Sequence, residues 1–155
     1  MSAYVPVELQ RTVRAQFANR CAYCCTAEVL TVVTFEFEHI VPRSSGGETV
    51  LENLCLACPT CNRFKADRTM ARDPLSSREV PLFHPQRDVW AMHFAWAEGA
   101  TEIIGLTAIG RATVDALHMN RPPLVRMRRM WQLMGEHPPE TNSPWWEAGE
   151  VESDA

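Results

Sequence analysis

The sequence predicts an α+β protein: a small strand–strand–helix unit tied at its base by paired cysteines, followed by an extension made of one hairpin and helices. Three observations carry this prediction. Six cysteines, Cys21, Cys24, Cys25, Cys55, Cys58 and Cys61, fall within one 41-residue window of a 155-residue chain. A run dense in β-branched and aromatic residues, VLTVVTFEF at 29–37, stands between the first and last cysteine pairs. The last pair opens directly into a segment that reads as a helix.

In chain order, residues 6–20 read as a helix, because Leu9, Val13 and Phe17 recur at one helical face. Residues 21–25 form a tight cysteine turn, and 29–37 a strand. Pro42 and the run Ser44-Ser45-Gly46-Gly47 mark a loop. Thr60 can cap a helix from about Cys61 to Arg72, ended before Pro74. Residues 73–88, with Pro74, Pro81 and Pro85, look like a linker. Residues 89–107 suit a hairpin with a turn at Glu98-Gly99, and Thr107 can cap a helix near 108–119. Pro122 and Pro123 open a last helix near 123–134, where Leu124, Met127, Trp131 and Met134 repeat at helical spacing. The division this suggests is 1–73 for the cysteine-tied domain, 74–136 for an extension packed on it, and 137–155 for an acidic tail expected to be loosely ordered.

Composition narrows the function classes. An apolar fraction of 46% and a charged fraction of 22% are those of an ordinary globular chain. There is no run of about 20 apolar residues to span a membrane, and the N-terminus lacks the pattern of a secretory leader, so a cytoplasmic location is expected. The net charge of −4 argues against a strongly basic nucleic-acid binder. Residues 136–155, however, hold six of the acidic side chains and no Lys or Arg, and without them 15 basic residues face 13 acidic ones.

Cys21-x-x-Cys24 and Cys58-x-x-Cys61 are two thiolate pairs separated by 33 residues. Two intervening residues let both sulfurs of a pair reach one ion at about 2.3 Å, and two pairs complete the tetrahedron of a structural zinc site. Cys55 also has pair spacing with Cys58. Cys58 with Cys61 is preferred because Cys55 falls where a second strand is expected, and Cys25 and Cys55 are then small apolar fillers. Inside or beside the clamp stand Glu38-His39 at a strand end, Asn53 before Leu54, and Asn62 directly after the last cysteine.

The set Cys21-x-x-Cys24, Glu38-His39-Ile40-Val41-Pro42-x-Ser44-x-Gly46-Gly47, Asn53-Leu54 and Cys58-x-x-Cys61-Asn62-x-x-Lys65 resembles the HNH endonuclease family over residues 21–65. Gly110-Arg111-Ala112-Thr113 and His137-Pro138-Pro139 resemble extensions appended to some HNH proteins. The first resemblance implies a ββα-metal unit and a metal-dependent endonuclease acting on DNA, with double-stranded DNA the expected form. It implies that His39 is the general base and that Asn53 orients it. Glu38 and Asn62 would hold a catalytic magnesium or manganese ion, alongside the structural zinc. Two positions depart from the family name and its usual pattern: Asn62 stands for the final histidine, and Glu38 for an aspartate.

Arg43, Arg63, Lys65 and Arg68 flank the site, and Arg43 and Lys65 are the leading candidates for phosphate contact. Trp90, Phe94, Trp96 and Trp131 are expected in a core rather than stacked on bases. His84, His93, His118 and His137 lack ligand spacing and are read as structural. The alternative function is a catalytically inactive, zinc-stabilised nucleic-acid-binding or protein-adaptor module, to which the Trp145-Trp146 tail would suit a partner. Oligomeric state is left open.

Overall fold

The computed structural model describes residues 4–140. Trp145 and Trp146, and most of the acidic tail, lie outside the described residues. Helix α1 (Val7–Gln16) buries Val13 and delivers Phe17 to the core. It stops four residues short of the expected end because Ala18 and Asn19 adopt left-handed backbone, at φ 53° and 55°.

The strand expected over 29–37 is shorter than its composition suggests. Residues Glu28–Leu30 form a 3-10 turn, Val29, Val32 and Val33 are exposed, and β1 is confined to Glu36–His39. Strand propensity reflects a fit to a pleated, half-buried surface, and β2 (Leu54–Ala57) offers only four residues to pair with. The Glu28 carboxylate also folds this stretch back, accepting from the Phe35 amide at 2.6 Å while it pairs with Arg14. The antiparallel register sets Glu38 opposite Cys55 and His39 opposite Leu54.

Helix α2 (Pro59–Lys65) begins earlier and ends earlier than expected. Its cap is Cys58, whose sulfur accepts from the Cys61 amide, and not Thr60. Pro59 takes the first helical position, where a missing N–H costs nothing. Ala66, at φ 53°, closes the helix, so residues expected to be helical to Arg72 instead enter β3 (Met70–Arg72).

The segment read as a linker is a second hairpin, β3 with β4 (Glu79–Pro81). Asp73 organises its turn. Its carboxylate accepts from the Leu75 and Ser76 amides and receives both arms of the Arg111 guanidinium, at 3.0 and 2.9 Å. The boundary expected after residue 73 therefore falls within this turn. Proline spacing hid the hairpin because only three residues on each side pair.

One helical turn, α3 (Trp90–His93), precedes the hairpin of β5 (Phe94–Trp96) and β6 (Ile103–Gly105), which reverses at Gly99. Thr107 caps α4 (Ala108–Ala116), its hydroxyl accepting from the Gly110 amide at 3.0 Å. Helix α5 (Pro122–Leu133) opens on its two prolines. Trp90, Phe94 and Trp131 are buried, and Trp96 packs against Trp90, which agrees with a core role for all four. Phe17, Leu54, Trp90, Leu117 and Trp131 belong to one continuous apolar cluster, so both halves of the chain share a core. The Trp90 indole donates to the Tyr23 carbonyl at 2.8 Å, fastening the second half directly onto the first cysteine turn. Among the described residues no helix is long and apolar enough to cross a membrane.

Candidate active site and metal centre

The two cysteine turns converge at the base of the β1–β2 hairpin. Cys21, Cys24, Cys58 and Cys61 are all buried, and their sulfurs lie within 4.8 Å of one another. Cys24 Sγ and Cys58 Sγ are 3.8 Å apart. Sulfurs bound tetrahedrally at about 2.3 Å from zinc stand about 3.8 Å apart, so this quartet fits the ion. Cys55 is excluded by direction: it points to the other side of β2, where its thiol donates to Glu38 Oε2 at 3.2 Å.

Four thiolates around a divalent ion leave excess negative charge, and the fold answers it from a distant element. Arg121, at the start of α5, directs Nη1 to Cys61 Sγ and Nη2 to Cys58 Sγ, both at 3.7 Å. Burial opposes the guanidinium charge there, but the facing thiolates more than compensate and hold it protonated. No sequence signal pointed to Arg121, because its sulfurs are some 60 residues away in the chain.

On the upper end of β1, His39 is partly buried and its Nε2 lies 2.8 Å from Thr49 Oγ1. Burial, then the nearby Arg43 charge, push its pKa below the ordinary histidine value. Arg43 itself is exposed in the short turn that follows Pro42. Asn53 does not orient His39 directly. Its Oδ1 accepts from Val41 N, and its Nδ2 donates to the Val41 and Glu48 carbonyls, at 2.8 to 3.0 Å. These three bonds close residues 41–48 into a fixed loop that carries Thr49 to His39. Gly47 is required for that closure, since a Cβ there would lie 1.8 Å from the Val41 carbonyl oxygen. Thr49 was the missed partner of the histidine; it lies in a loop, where register gives no guide.

A cysteine quartet, a strand-end histidine and an asparagine-pinned glycine loop thus stand together in this order. Residues 21–68 match the HNH endonuclease family. No curated protein matches the chain, and no solved structure does.

Within this HNH segment, the face of β1 opposite His39 is arranged differently from the expectation. Glu38 is buried, and its Oε1 pairs with Lys65 Nζ at 2.7 Å. Lys65 is also buried, and its ammonium donates to the Ile40 carbonyl at 2.9 Å. Oε2 receives the Cys55 thiol, and the buried Tyr23 hydroxyl lies beside that thiol. Burial raises the Glu38 pKa, with Lys65 the main influence holding it down. Asn62 turns instead to Glu36, its amide donating to Oε2 at 2.5 Å.

One expectation is corrected by this geometry. Lys65 is sealed inside and is not placed to touch a phosphate. Glu38 faces Lys65 and Cys55 while Asn62 donates to Glu36, and Glu38 Oε1, although ion-paired with Lys65, is left without a hydrogen-bond partner. Tyr23 could have been anticipated as a buried polar residue between two ligands; the reach of Lys65 could not.

Two outcomes follow. Purified protein should contain zinc, and Cys58→Ser or exhaustive chelation should remove it and collapse the thermal transition, since structural zinc contributes on the order of 10 kcal/mol to such sites; elemental analysis paired with calorimetry reads both. Lys65→Met alone should destabilise the fold by about 3–5 kcal/mol by stranding a buried carboxylate, whereas Lys65→Met with Glu38→Leu should recover much of that loss; urea titration of the three proteins checks this.

Proposed function

We propose that the chain hydrolyses DNA phosphodiester bonds, with β1, β2 and α2 forming a ββα-metal unit and His39 acting as general base. The observation that carries the reading is His39 itself: a strand-end imidazole held by Thr49 on an Asn53-pinned loop, within a segment that matches the HNH family. With Nε2–H donating to Thr49, the ring keeps a lone pair on Nδ1 that can take a proton from water. The water oxygen then bonds to phosphorus while the bond to the 3′ oxygen breaks in line, leaving a 5′ phosphate and a 3′ hydroxyl. Exposed Arg43 supports the reading as a phosphate contact beside the base.

Duplex DNA is the proposed substrate, and magnesium or manganese the proposed activating ion. Glu38, whose Oε1 has no hydrogen-bond partner, and Asn62 would hold that ion, which would stabilise charge growing on the phosphate. The same Glu38–Lys65 pair favours a second reading, a zinc-stabilised nucleic-acid-binding or protein-adaptor module without catalysis. A cytoplasmic setting is proposed on the composition alone.

Incubation of supercoiled plasmid with magnesium, manganese or chelator separates the two. Nicking that needs the metal and falls by about 10²-fold or more in His39→Ala supports the nuclease. Equal inactivity of both proteins on duplex, single-stranded and RNA substrates leaves the binding module. The pH profile gives a further check. A base whose pKa lies below the usual 6.5 or so remains neutral further into acid, so activity should hold through pH 7 and fall only on its acidic side. Arg43→Ala removes one depressing charge and should move that acid limb to higher pH.

A further inference from the structure

A cleft of about 340 Å³ opens beside the end of β1, walled on one side by Ile40, Leu82, Phe83 and Ile109. Its polar rim is His84, Arg87 and Asp88, with the buried Lys65 below. Ile40 and Val41, which line it, directly follow His39 in the chain. The cleft is thus built jointly by the HNH segment and the second half.

The rim is preorganised. His84 N donates to Asp88 Oδ2 at 2.9 Å, and Asp88 N returns a bond to the His84 carbonyl at 2.8 Å. Gln86 ties the turn down by donating from Nε2 to the Leu54 carbonyl at 2.8 Å and pairing with Gln16. The Gln86 amide donates to His84 Nδ1 at 3.2 Å, which places the proton of the neutral ring on Nε2. Burial, then the Arg87 charge, keep that ring on the neutral side.

The lining selects the occupant. Arg87 and Lys65 balance the Asp88 carboxylate, so charge alone does not decide, and it is the apolar wall that favours a planar ring over a bare phosphate. A nucleobase has apolar faces for the Ile40–Ile109 wall and a polar edge with both acceptors and donors. His84 Nε2–H offers a donor to that edge, and Asp88 offers an acceptor. Small-ligand sites begin at roughly 300 Å³, so one base with part of its sugar is the right size.

We propose that this cleft receives an unstacked nucleobase of the substrate strand, with His84 and Asp88 reading its polar edge. This inference rests on the nuclease reading above. His84 is then a binding residue, in place of the structural role its isolated spacing suggested.

The test uses the full chain, in buffer without added divalent metal, and duplex oligonucleotides carrying 2-aminopurine at successive positions. An extruded base leaves its stack, so fluorescence should rise several-fold at a subset of positions on binding. Ile109→Trp, which fills the wall, and His84→Phe, which removes the ring donor, should each abolish that rise and, once magnesium or manganese is added, slow cleavage of the same DNA by roughly tenfold. Zinc content and melting temperature confirm that each variant is folded. A rise that survives in both variants, or bound DNA with no rise at any position, overturns the cleft and leaves the nuclease standing. Failure of the wild-type chain to bind any of these duplexes overturns the nuclease reading itself.

Discussion

The convergence of four sulfurs at one point is the constraint on which the rest of the structure depends. It joins the turn after α1 to the first residues of α2, although 33 residues separate the two cysteine pairs. Both strands of the β1–β2 hairpin lie between those anchor points. The hairpin itself is short, with four paired residues on each side, and an isolated two-stranded ribbon of that size is marginal in water. The clamp, with the apolar cluster around it, supplies the rigidity that places a histidine at the far end of β1.

The two faces of β1 do different work because strand side chains alternate. His39 looks to one side, where the glycine loop and Arg43 surround it. Glu38 looks to the other, where a lysine and a thiol converge on its carboxylate. A buried ion pair of this kind contributes little net stability compared with apolar packing, but it is costly to break from one side. It fixes the spacing between β1 and α2, because Lys65 also holds the Ile40 carbonyl immediately after His39. The alignment of the histidine thus depends on groups that never face it.

Much of this was legible in the sequence, and the reasons differ by residue. The zinc quartet was readable because ligand chemistry imposes spacing, and the cap at Thr107 because the hydroxyl and its amide are local. The α4 and α5 boundaries followed from a cap and two prolines. The overlong β1 reading failed because Val29, Val32 and Val33 have the composition of a strand but no partner to pair with. The β3–β4 hairpin escaped because its turn is organised by Arg111, far along the chain. Lys65 was misplaced since a lysine within an HNH-like motif suggests surface charge, and only tertiary geometry shows its stem reaching inward. His84 gave no signal at all until a cleft surrounded it.

The seam between the two halves bears on how such a motif can move between proteins. Severing the chain after Asp73 would leave the Tyr23 carbonyl without the Trp90 indole and the Leu54 carbonyl without Gln86. It would also deprive the Asp73 carboxylate of its arginine fork and the thiolate knot of Arg121. Each is a polar group whose desolvation is satisfied from the far half. In this chain the HNH-like motif is therefore not a transplantable cassette: a recombination event that carried only the signature residues would inherit the letters of the motif without the scaffold that orients them.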